Sequence, residues 1–143
     1  MIYDAEIWGP HYWFVLITIA MIYPTNPNAV IKKKYYNFIH DLSIFIPEQK
    51  SSKHFSQLLN KYPVAPYLDS RSSLIRWVHF IHNKMNKLAG KEQCSLIDAL
   101  NQYYDLYKPK ELKNREMKKK REKVIFVFVV CLTLISIGYF YRK

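Results

Sequence analysis

The sequence predicts an all-α protein: a small four- or five-helix bundle, then a basic stalk, then one C-terminal transmembrane helix. Three observations carry the prediction. Apolar residues recur at helical spacing in one segment after another, prolines and Pro/Asn-rich turns separate those segments, and residues 124–141 form a run of eighteen uncharged, mostly apolar residues. No segment alternates apolar and polar residues as a half-buried strand would, and there is no internal repeat or Gly-rich phosphate loop.

The first helix is expected around the apolar stretch Trp13 to Tyr23, with Pro10 in its first turn and the turn-rich "YPTNPN" as its stop. That stretch is about half a bilayer long and has no basic region ahead of it, so it reads as a buried helix and not as a signal peptide or a span. A second helix is expected from Asn28 to Phe45, where Tyr35, Phe38, Ile39, Leu42 and Phe45 share one side and Lys33, Asn37 and His40 the other. A third should run from Pro47 to Lys61 and stop before Pro63. The fourth, Ser72 to Leu88, has the clearest apolar face, through Leu74, Trp77, Val78, Ile81, Met85 and Leu88, and Gly90 suits a left-handed cap after it. A fifth, Ser95 to Tyr107, has Ser95 placed to cap it with Asp98 three residues on, and Pro109 bends or interrupts the chain after it.

Charge divides the chain. Residues 1–107 hold 11 Lys/Arg against 8 Asp/Glu, whereas 108–123 hold 9 against 3. The expected organisation is therefore a helical domain over 1–107, a basic juxtamembrane stalk over 108–123, a transmembrane helix over 124–141 and a short tail at 142–143. Eighteen helical residues span about 27 Å, enough for a hydrocarbon core once terminal aromatics and lysines are counted. Cations crowd the N-terminal side of the span, so the domain is expected on the cytosolic side of a single-pass, C-terminally anchored protein. The stalk, Lys108 to Lys123, is expected to meet anionic lipid headgroups in preference to nucleic acid. With only Cys94 and Cys131, there is no disulfide framework.

"WGPHYWFVLITIA" (Trp8 to Ala20), "PEQKSSKHF" (Pro47 to Phe55) and "WVHFIHNKMNKLAGK" (Trp77 to Lys91) together resemble the Erv/ALR family of FAD-dependent sulfhydryl oxidases, particularly the short versions of large DNA viruses. The most specific piece is W-x-x-x-x-H-N-x-x-N, here Trp77, His82, Asn83 and Asn86. The resemblance implies a small helical bundle, usually dimeric, holding FAD beside a Cys-x-x-Cys pair that moves electrons from substrate thiols to flavin and then oxygen. It also implies cofactor-binding roles for Trp8, Gly9, Trp13, His54, Trp77, His82, Asn83, Asn86 and Lys91, should FAD be kept.

Four positions depart from the family pattern. Glu48 and Ser51 stand where the two redox cysteines would be, Ile17 where a first-helix histidine would be, and His79 where the first cysteine of a structural disulfide would be, with Cys94 near the second. Thiol–disulfide exchange needs sulfur, and neither Glu48 nor Ser51 supplies it. The expectation is therefore a catalytically inactive, sulfhydryl-oxidase-like pseudoenzyme without catalytic residues or resident cofactor. It would act as a membrane-anchored structural or interaction protein, a minor capsid or virion inner-membrane component of a large DNA virus that ties a capsid or assembly partner to membrane, and would form a homodimer. The alternative is an FAD-dependent thiol oxidoreductase, or a partner subunit in viral disulfide formation. His54, His79 and His82 lack a clear fourth ligand, so no metal is expected. Ser51, His54 and Glu48 lack the nucleophile elbow of a hydrolase.

Overall fold

The computed structural model describes residues 3–142. Asp4 opens the first helix. Its Oδ1 accepts from the Glu6 amide at 2.8 Å, and α1 runs Ala5–Met21. Pro10 consequently lies in the second turn and not in the first, because the Asp4 cap starts the helix earlier than the proline suggests. The missing proline N–H removes one internal bond, which a helix held by packing tolerates.

The remaining boundaries arise from equally local chemistry. Asn28 Oδ1 accepts from the Ile31 amide at 2.9 Å and opens α2, Ala29–Phe45. Pro47 precedes α3, Gln49–Lys61, and Glu48 holds its N-cap position. A short 3-10 turn at Ala65–Tyr67, too brief for any periodic signal, then leads to α4, Arg71–Leu88, opened by Ser70. The end of α4 closes in a Schellman motif: Lys91 N–H donates to the Asn86 carbonyl at 2.8 Å, Gly90 N–H donates to Lys87 at 3.2 Å, and Gly90 takes φ +70°. Ser95 caps α5, Leu96–Tyr107, accepting from the Asp98 amide at 3.1 Å and donating to its carboxylate at 2.7 Å. The last helix, α6, is continuous from Lys110 to Tyr141. Of the tail expected at 142–143, Lys143 lies outside the described residues.

The chain divides into two compact units with the boundary after Asn101, inside α5. In the first, α1 packs on α4, and α3 lies against both α2 and α4. The alternating threes and fours of α4 put Leu74, Trp77, Val78 and Ile81 into the core beside Leu16, Ile39, Phe55 and Leu59. Each such burial is worth about 1.5–3 kcal/mol. Tyr23 is wholly buried, and its hydroxyl donates to the Leu68 carbonyl at 2.8 Å while its own carbonyl accepts from Arg71 Nε. Burial, with Tyr35 adding to it, pushes the Tyr23 phenol above its usual range.

In the second unit, Lys108 clamps the bend at Pro109. Its ammonium reaches Asp105 at 2.8 Å and Glu116 at 3.3 Å, and these hydrogen bonds raise its pKa. Beyond Lys123 the helix is apolar on every side, and it is the one helix among the described residues long and apolar enough to cross a membrane. The hydroxyls of Thr133 and Ser136 donate to the Val130 and Leu132 carbonyls at 2.8 Å, so both are satisfied within the helix, as a hydrocarbon surrounding requires.

Candidate functional site

Aromatic rings from α1 meet α3 and α4 on one side of the bundle. Trp13 stacks on the His82 imidazole at 4.3 Å between centroids with the planes 19° apart, and presents an edge contact to Phe55 at 6.5 Å. Nearer the start of α1, Trp8 packs edge-on at 5.2 Å against Tyr12, which lies one turn further along the same face. The Tyr12 hydroxyl donates to the Phe45 carbonyl at 2.8 Å, which fixes α1 to the end of α2 just before Pro47. Ser52 does the same for α3 by donating to the Ser43 carbonyl at 2.7 Å.

Two features of this region bear on whether it can hold a ligand. Trp8 Nε1 is buried with no hydrogen-bond partner in the described structure, a state that ordinarily costs about 1–3 kcal/mol and calls for an acceptor. Gly9, the following residue, is buried, yet a methyl group added there would meet nothing within 4 Å beyond the adjoining residues and the backbone of its own helix. A flavin nucleotide carries ring-carbonyl and phosphate oxygens of the kind that this unpartnered donor calls for.

His82 is held neutral. Burial, chiefly, and then the charges of His79 and Lys91 lower its pKa from 6.5 to about 4. An unfolded chain would bind more protons than the folded one between those values. The stability this group contributes is thus fully present above pH 6.5 and is lost as pH falls through the window toward 4. The expected loss between pH 7 and pH 4.5 is about 2–3 kcal/mol. In urea titrations followed by tryptophan fluorescence, His82→Gln should show a slope across that window that is flatter than wild type by that amount.

The other residues singled out in the sequence are distributed differently. Trp77 is only 3% exposed, and its indole N–H donates to the Tyr62 carbonyl at 3.0 Å. Asn83 is occupied with the main chain of Cys94, donating to its carbonyl at 2.9 Å and accepting from its amide at 3.2 Å, while His79 Nε2 lies 3.0 Å from the same carbonyl. A polar clip therefore stands where the family resemblance implies a disulfide, and Cys94 is a free thiol. Asn86 terminates α4 through its carbonyl, and Lys91, placed by the Schellman turn, pairs with Glu6 at 2.7 Å. His54, in α3, is half-buried, and its side chain makes no hydrogen bond among the described residues. Sequence reasoning missed Glu6, Tyr12 and Ser52. Tyr12 carried one signal, its position one turn after Trp8.

At the start of α3 the Ser51 hydroxyl donates to Glu48 Oε2 at 2.5 Å. Positions N-cap and N3 thus face one another across the first turn, and a carboxylate there is favoured by the positive end of the helix dipole. This pair can hold a proton or a hydrogen bond. It cannot take up or release two electrons, which a dithiol does.

The helices that bring Trp13 of α1 onto the neutral His82 of α4 define a small all-helical bundle domain. The chain belongs to the Erv1 / Alr family, whose family model matches residues 10–105. It is 31% identical over 109 residues to a probable FAD-linked sulfhydryl oxidase of Acanthamoeba polyphaga mimivirus, covering 76% of each chain. It is 26% identical over 112 residues to an FAD-linked sulfhydryl oxidase of African swine fever virus, covering 78% of this chain and 89% of that one. It spans about half, 48%, of the mitochondrial FAD-linked sulfhydryl oxidase of Schizosaccharomyces pombe. The crystal structure of the FAD binding domain of Erv1 from Saccharomyces cerevisiae superposes with a TM-score of 0.65 at 28% identity, covering 73% of this chain and 97% of that one.

Proposed function

We propose that this chain is a membrane-anchored, FAD-binding member of the Erv1 / Alr family that lacks a thiol relay of its own and works as an interaction protein at a membrane surface. The observation that carries the reading is the Glu48–Ser51 hydrogen bond at the start of α3, in the place where the family resemblance puts the redox dithiol. FAD, when bound, supplies a two-electron acceptor. On the protein's side, Trp8 would offer its unpartnered indole N–H, the Trp13–His82 stack a flat apolar wall, and Lys91, on exchanging its exposed partner Glu6, a positive charge for a diphosphate. Asn83 and Trp77 would support the slot from behind by fixing the Cys94 segment and the core.

The same proposal places the domain on the cytosolic face, anchored through Val124 to Tyr141, with a protein partner such as a capsid or assembly component of a large DNA virus. Support for a viral setting comes from the viral proteins among its relatives. Homodimer formation through α1 and α2 has support in their exposed apolar residues, among them Ile7 at 70% and Ile44 at 76%. A second reading, a thiol oxidoreductase that borrows a partner's cysteines, is favoured by the same flavin cradle and differs only in what meets the Glu48–Ser51 edge.

Trp8→Phe separates the cradle from mere packing. Removing an unsatisfied buried donor should leave the flavin-free protein as stable as wild type or more stable, by up to about 1–3 kcal/mol. It should also lower the flavin retained on purification, read from the absorbance of the released cofactor, by about fivefold or more. Unchanged retention would remove Trp8 from the site, and a wild-type chain that retains no flavin would end the cofactor part of the reading.

A further inference from the structure

The basic stalk is not uniform along α6. Lys108 is engaged by Asp105 and Glu116, so its charge is spent on the bend at Pro109. Between Lys110 and Met117, cations and carboxylates intermix, with Glu111 and Glu116 set among Lys110, Lys113 and Arg115. The next six residues differ: Lys118, Lys119, Lys120, Arg121 and Lys123 are interrupted only by Glu122, and all are exposed. Helix geometry places these five cations within about 8 Å along the axis, directly before the apolar run that begins at Val124. They also surround it. At 100° per residue, no arc wider than about 100° around the helix lacks a cation.

That arrangement selects among polyanions. A duplex or an acidic protein face approaches a helix from one side and is best met by a stripe of charge. A lipid surface pierced by a helix surrounds it, and a collar of charge meets it on every side. The axial extent matches as well, since about 8 Å is also the screening length at physiological salt, whereas Lys110 would stand about 20 Å above the span. We propose that Lys118, Lys119, Lys120, Arg121 and Lys123 form a collar that gathers anionic phospholipid headgroups around α6, with the upper stalk acting as a spacer. This rests on the reading of α6 as a membrane span.

The test uses the full chain reconstituted in mixed phosphatidylcholine and phosphatidylserine vesicles, with spin-labelled forms of each lipid reporting motionally restricted association. At low salt, wild type should favour phosphatidylserine by roughly fivefold or more. The preference should shrink at about 0.5 M salt. In the variant K118Q/K119Q/K120Q/R121Q/K123Q, which keeps good helix formers, it should fall to near parity, while K110Q/K113Q/R115Q should retain most of it. Equal association of the two lipids with wild type overturns the proposal, as does equal loss in both variants, which would reduce the effect to net charge. If the lipids associate equally and an oligonucleotide duplex binds through the same five cations, the stalk is a nucleic-acid adaptor instead. Absence of any restricted component for either lipid would mean that α6 does not span, which brings down the anchor reading itself and not the collar alone.

Discussion

Replacing Trp77 with alanine is expected to cost about 3–5 kcal/mol of stability, at the upper end of what truncating a buried side chain costs. Two effects add. The side chain is 3% exposed at the centre of the α4 face, among Leu74, Val78 and Ile81, and its removal leaves a cavity that packed helices only partly close. Its indole N–H also satisfies the Tyr62 carbonyl at 3.0 Å, where the chain leaves α3, and alanine leaves that acceptor unpaired. For a domain of about 100 residues such a loss lowers the melting temperature by more than about 12 °C. Trp77→Phe keeps most of the volume and loses the hydrogen bond, so it should fall between. A shift below about 1 kcal/mol for the alanine variant, measured by unfolding in detergent, would mean that Trp77 lines a cavity already open to a ligand instead of supporting the core.

The second large effect is a gain. In the double variant E48C/S51C the two thiols would occupy positions that already face each other across the first turn of α3. A thiol at a helix N-terminus has a lowered pKa, so one of the pair would ionise readily. With a small dithiol as substrate, the pair would exchange between disulfide and dithiol while the substrate loses two electrons and two protons, and oxygen would finally carry them as hydrogen peroxide. Oxygen uptake per bound flavin is expected to rise at least about a hundredfold over wild type, a modest share of what positioning two reactants can supply. The single variants should stay at the wild-type level, because one thiol cannot resolve the mixed disulfide it forms. A double variant that binds flavin and forms the disulfide between its two introduced thiols, yet consumes no oxygen, would show that the slot no longer holds flavin where a dithiol can reach it.

The helices were legible where one physical signal dominated. In α4 the buried face repeats at threes and fours from Leu74 to Ile81, with Met85 partly buried, and Gly90 supplies the left-handed residue that its Schellman closure needs. Leu88, expected on that face, is exposed where the helix ends, and Phe38 and Phe45 of the face expected in α2 are exposed too. In α6 the abrupt change from charge to eighteen uncharged residues at Val124 is visible without any structure. At α1 two start signals competed, and the conspicuous Pro10 masked the side-chain cap from Asp4. The site was legible only in part. Trp13 and His82 are 69 positions apart in the chain and carry no local sign of stacking, so the family pattern and not periodicity brought them together. The Glu6–Lys91 pair, and the commitment of both ends of the Asn83 amide to Cys94, are products of tertiary packing. An asparagine that would contact a cofactor and one that clips a loop look the same in a string of letters.

The most direct test of the central claim is oxygen uptake by the purified full-length chain, with its flavin content measured on the same sample and a small dithiol as electron donor. The account predicts bound flavin and a rate no greater than that of the same amount of free flavin, unchanged when Cys94 and Cys131 are alkylated. Turnover well above free flavin, abolished by alkylation, would contradict it, because the chain would then be oxidising thiols through cysteines of its own.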